Sequence, residues 1–66
     1  MKLGELIALS RELKGWSLRD LERRSGISNA LISQIETGHI VEPSFRKIVR
    51  LGNALGLSLN RLAETE

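Results

Sequence analysis

Four breaks limit what this chain can fold into. Each is a glycine followed after a few residues by a serine: Gly15 and Ser17, Gly26 and Ser28, Gly38 and Ser44, Gly56 and Ser58. Glycine tolerates the left-handed conformation that closes a helix. Serine is a preferred N-cap, because its oxygen accepts an orphan amide of the next helix's first turn. Between the breaks, apolar residues recur at three and four positions, which is the helical period, and no segment alternates like a half-buried strand. The spacing predicts five short helices. The first runs from about Leu3 to Lys14, the second from the Ser17 cap to about Arg24, and the third from about Asn29 to Thr37. The fourth runs from the Ser44 cap to about Leu55, and the fifth from Leu59 to about Ala63. Ser17-Leu18-Arg19-Asp20 has the form of a capping box with Asp in place of Glu. Pro43 pushes Glu42 out of helical geometry, so His39 to Pro43 reads as a loop. Thr65 and Glu66 are expected to fray. These elements make an all-α, compact five-helix bundle, one domain over residues 1–66.

Size and composition exclude several function classes. At 66 residues, with roughly 1.5 kcal/mol of conformational entropy to offset per ordered residue, the chain has little stability to spare for a strained catalytic cleft. It has no cysteine, hence no disulfide framework and no thiolate metal site. A single histidine, His39, cannot build an imidazole cluster. There is no apolar run near 18 residues and no secretory-type apolar block after Lys2. No Ser-His-acid set, paired catalytic carboxylates or phosphate loop stands out. The expectation is a cytoplasmic, non-enzymatic module with no cofactor, no metal, no membrane contact and no small-molecule ligand. The net charge of +2, from ten basic and eight acidic residues, is uninformative as a sum. Its placement says more. Arg19, Arg23 and Arg24 lie on the second segment, and Arg46, Lys47 and Arg50 on the fourth.

The stretch from Ser17 to Gly38 carries the functional signal. A capped short helix, a Ser25-Gly26-Ile27-Ser28 turn and a second short helix form a helix-turn-helix. Leu21, Ile27, Ile32 and Ile35 would pack between the two helices and set their angle. Asn29, Ala30, Ser33, Gln34 and Thr37 would then face outward.

Leu3-Gly4-Glu5, Gly15-Trp16-Ser17, Asp20-Leu21, Arg24 to Ser28 and Ile32 to Gly38, with Leu51 to Leu62, resemble the phage-repressor and Cro-like, XRE-type helix-turn-helix regulators. The resemblance covers nearly the whole chain. It implies a lambda-repressor-like DNA-binding domain, with a motif at about 17–38 whose second helix, residues 29–36, lies in the major groove. It implies a regulator, more often a repressor, binding double-stranded DNA as a homodimer on a two-fold operator. Carried over by position, Asn29, Ala30, Ser33 and Gln34 would contact bases. Arg19, Thr37, His39, Ser44, Phe45 (through its backbone amide) and Lys47 would contact phosphates. Arg23 and Arg24 would mainly be solvated. Leu31 has two readings, partial burial or DNA contact. The resemblance also implies an ion pair between Arg11 and Glu36 that supports the fold and keeps Glu36 away from DNA. A protein-interaction module on the same scaffold, such as an antitoxin or the targeting domain of a larger regulator, is the alternative. No sensor domain fits within 66 residues.

Two positions depart from the family pattern. Leu18 stands where the family commonly has a Gln that bonds phosphate and the recognition helix, so Arg19 would take over the phosphate. Glu22 stands where the family usually has Ala, and must point to solvent or find a partner such as Arg23 or Arg19. Trp16 and Phe45 are expected in the core, Trp16 as a hydrophobic staple. On the first segment, Leu3, Leu6, Ile7, Leu9 and Leu13 span about 160° at 100° per residue. Burial by the fifth helix is expected for Leu6 and Leu13, with Leu9 undecided between burial and self-association. Leu57, Leu59 and Leu62 are a second candidate dimer surface.

Overall fold

The computed structural model describes residues 1–65 and consists of five helices: α1 (Leu3–Leu13), α2 (Leu18–Ser25), α3 (Asn29–Glu36), α4 (Phe45–Leu55) and α5 (Leu59–Ala63). There is no strand among the described residues. The four serines act as caps. Ser17, Ser28, Ser44 and Ser58 accept from the amides of Asp20, Leu31, Lys47 and Arg61 at 3.1, 3.2, 3.4 and 3.1 Å. Helix ends shift by one residue from the sequence expectation. Lys14 and Thr37 close their helices as caps, and Ser25 is the last residue of α2. Gly26 then turns the chain at φ 76°, and its N–H closes the helix onto the Glu22 carbonyl at 2.8 Å. A side chain would be strained at that φ. Of the two residues expected to fray, Glu66 lies outside the described residues. Thr65 is tied back, its hydroxyl donating to the Leu62 carbonyl at 2.7 Å.

The α2 cap is reciprocal. Asp20 accepts from the Ser17 backbone N–H at 2.8 Å and from Arg23 at 2.7 Å. The backbone bond first, and Arg23 second, hold the Asp20 carboxyl below its ordinary value. A depressed folded pKa contributes stability above the unfolded value, and that contribution disappears as pH falls through the folded one. Asp20→Ala is therefore expected to lower Tm at neutral pH and to reduce the further drop in Tm below about pH 4. Parallel Tm-against-pH curves for the two proteins would contradict this.

Every helix contributes to one core: Leu6 and Ile7 from α1, Leu21 from α2, Ile32 and Ile35 from α3, Leu51 and Leu55 from α4, and Leu62 from α5. Ile27 of the turn completes it. α3 packs against α1 and α2, while α4 packs against α1, α2 and α5. This arrangement revises several expectations. Leu13 is 78% exposed and Leu9 42%, because α3 and α4 cover only the Leu6–Ile7 edge of the α1 stripe and α5 packs on α4 instead. Phe45 is 70% exposed at the start of α4, outside the core. Leu62 is buried and Leu57 half-buried, so of the proposed C-terminal leucine surface only Leu59 stands exposed. Trp16 is half-buried against the core, with the Arg24 guanidinium 4.2 Å from its ring centre and the Lys14 ammonium at 5.3 Å.

Candidate nucleic-acid interface

The angle between α2 and α3 is set by residues with no freedom to move. Leu21, Ile27, Ile32 and Ile35 are all buried, and close packing makes such a junction rigid. Burying Ile32 and Ile35 turns the other side of α3 outward. At 100° per residue, Asn29, Ala30, Ser33, Gln34 and Thr37 occupy an arc of about 140°. Ala30, Gln34 and Thr37 are exposed, whereas Asn29 and Ser33 are half-buried. Leu31 is half-buried and packs against the core, which favours the first of its two readings. The outward arc thus carries two amides, two hydroxyls and a methyl group. Those groups can pair with base edges in a major groove.

Asn29 is not a free side chain. Its Nδ2 donates to Glu22 Oε1 at 3.0 Å, and its backbone N–H donates to Glu22 Oε2 at 3.2 Å. Glu22, expected to point to solvent or to find a partner such as Arg23 or Arg19, thus finds its partner in Asn29. Arg23 pairs with Asp20 instead. The partner was missed because Asn29 is seven residues away and meets Glu22 only after the chain reverses at Gly26. The first amide of α3 has no intrahelical acceptor, so a carboxylate there also relieves an orphan donor.

The candidate phosphate ligands lie on three elements. Arg19 is exposed in the first turn of α2, Thr37 and His39 follow α3, and Ser44, Phe45 and Lys47 open α4. The Thr37 hydroxyl donates back to the Ser33 carbonyl at 2.9 Å and lies 3.0 Å from His39 Nδ1. One hydroxyl proton cannot serve both the helix and a phosphate, so Thr37 is the weakest of these donors. Ser44 accepts the Lys47 amide and keeps its own proton to give. The amides of Phe45 and Arg46, at the start of α4, have no intrahelical acceptor. The cations divide by commitment. Arg11, Arg23 and Arg61 are in ion pairs, and Arg24 covers Trp16. Arg19, Arg46, Lys47 and Arg50 are exposed and form no ion pair among the described residues.

Glu36, at the end of α3 beside the edge of this arc, is taken up by Arg11. Arg11 Nε donates to its Oε2 at 2.8 Å and Arg11 Nη2 to its Oε1 at 3.0 Å, while Arg11 Nη1 donates to the Trp16 carbonyl at 2.7 Å. The two side chains are only 14% and 10% exposed. The bond to Glu36 holds the guanidinium above its ordinary value, against the opposing effect of burial. One side chain of α1 thereby joins the α1–α2 connection to the last turn of α3.

A family model described as helix-turn-helix matches residues 7–62. The HTH-type transcriptional regulator SlrR of Bacillus subtilis (strain 168) is 33% identical over 64 residues, which cover 97% of this chain and 42% of the relative. The chain therefore spans about two fifths of the length of that relative. No solved structure matches it significantly.

Proposed function

The chain belongs to the helix-turn-helix family of phage-repressor and Cro-like type, and from that premise we propose that it is a sequence-specific transcriptional regulator acting on double-stranded DNA. The observation that carries this reading is the pairing of two surfaces. α3 presents a polar arc, and uncommitted cations stand at the first turns of α2 and α4, with Arg50 further along α4. A duplex needs both: cations to neutralise phosphates with release of counterions, and side chains that distinguish base edges.

The roles follow from chemistry. Asn29 and Gln34 suit adenine, Ser33 suits several bases, and Ala30 suits a thymine methyl. Arg19, Lys47, the Ser44 hydroxyl and the Phe45 amide take phosphates, with Thr37 and His39 at the edge of the contact. The protein works as a homodimer on a two-fold operator, because one domain of this size buries too little surface for tight specific binding and two linked half-sites add avidity. Occupying promoter DNA in the cytoplasm, it represses.

The test is duplex binding as a function of salt, combined with selection from a random pool. Affinity should fall steeply, with a log–log slope of about −0.9 for each phosphate neutralised. Arg19→Ala should weaken all sequences alike and make the slope shallower by about 1 per protomer. Asn29→Ala should cost about 1–3 kcal/mol on the selected duplex and relax the preference at one position per half-site. A flat salt response with no enriched sequence would assign the fold to protein interaction instead.

A further inference from the structure

Resting on the reading of α3 as the base-contacting helix, we infer that Glu22 is a positioning residue that orients the Asn29 amide to select adenine over guanine. A terminal amide can turn over, exchanging its oxygen and nitrogen. Here it cannot do so without loss. Nδ2 lies 3.0 Å from Glu22 Oε1, and turning over would set Oδ1 against a carboxylate oxygen with no proton between them. The second carboxylate oxygen is anchored on the Asn29 backbone N–H, which fixes the carboxylate relative to the start of α3. An NH2 group has two hydrogens. One is spent on Glu22, so the amide offers outward one N–H and the Oδ1 acceptor. Adenine presents the complement, an N7 acceptor beside an N6 donor. Guanine presents two acceptors, N7 and O6, and an amide with a single free N–H beside an oxygen cannot satisfy both.

The position of Glu22 also has a cost. A carboxylate beside the groove-facing helix repels phosphate, and among the described residues no cation pairs with it. The charge therefore trades general affinity for selectivity. If it served only to stabilise the start of α3, as an anion at a helix N-terminus can, its removal would lower Tm and leave base preference unchanged.

The experiment is selection of duplexes by the full chain and its Glu22→Ala and Glu22→Gln variants, with Tm measured alongside. The wild-type selection should contain, in each half-site, an adenine to which Asn29→Ala becomes indifferent. At that position Glu22→Ala should reduce the adenine-to-guanine preference roughly tenfold. Binding to random duplex at low salt should rise with the loss of the charge. Glu22→Gln keeps an oxygen for the Asn29 backbone N–H, so it tests the inference even if the alanine variant folds poorly. Because Gln can donate as well as accept, Asn29 is free to turn over, and the same loss of preference is expected. In an Asn29→Ala background neither Glu22 change should alter base preference further. Folded Glu22 variants that keep the wild-type adenine-to-guanine ratio would overturn the inference while leaving the DNA reading standing. No enriched duplex for the wild type would overturn both.

Discussion

Arg11→Met is expected to remove about 3 kcal/mol, roughly a third or more of the folding free energy of this domain. A protein of this length has on the order of 3–10 kcal/mol in total, at 0.05–0.15 kcal/mol per residue. Taking one partner from a buried ion pair costs about 3–5 kcal/mol, because the other charge stays buried and uncompensated. The low end of that range applies here, since Arg11 and Glu36 retain some contact with water at 14% and 10% exposure. The variant also deprives the Trp16 carbonyl of its 2.7 Å donor. Urea unfolding followed by fluorescence measures the loss directly, because Trp16 is the sole tryptophan and lies beside the altered site. The double variant Arg11→Met/Glu36→Leu should recover much of the loss, since two apolar groups in place of a buried pair are often neutral. A single variant that loses less than about 1 kcal/mol would mean that water screens the pair as it does at an open surface.

Gly4→Ala is expected to destabilise by about 2 kcal/mol or more, opposite in sign to what helix propensity suggests. Gly4 is the second residue of α1, and in a helix interior alanine is favoured over glycine by about 1 kcal/mol. In the fold, however, a Cβ at Gly4 would run into the Ile35 carbonyl oxygen and come within 3.0 Å of the Glu36 carbonyl oxygen. Both are backbone atoms of the last turn of α3, so neither can swing aside. Relief requires moving the first turn of α1 away from the last turn of α3, which Arg11 also holds from the other end of α1. Overpacking costs typically 1–3 kcal/mol even where side chains can adjust. Unchanged or raised Tm in Gly4→Ala would show that the two helices sit further apart than described.

These two positions illustrate what could and could not be read in advance. The helices were legible because their signals are local. A serine caps an amide three residues on, and a glycine closes a helix within its own turn, so each can be recognised in a short window. Ile32 and Ile35 were legible as inward for the same reason, since three residues apart they share one face of α3, and Leu21 and Ile27 are the apolar residues on either side of the Gly26 turn. Leu13 and Phe45 were misplaced because exposure depends on which neighbouring helix lies overhead. The period of α1 cannot say that α5 packs on α4. The partner of Glu22 was not legible because Arg19 and Arg23 lie within its reach on the same helix. The bond to Asn29 crosses a turn.

The sequence alone therefore determined the number, order and approximate bounds of the helices, the apolar set that joins the two helices of the motif, and the outward arc on α3. Each depends on interactions within a few residues of chain. Only the tertiary structure decided which leucines are covered, why residue 4 has no room for a side chain, and that the Asn29 amide is held by Glu22. Those depend on the distance and angle at which separate helices meet, and that geometry is set by all the packed side chains together.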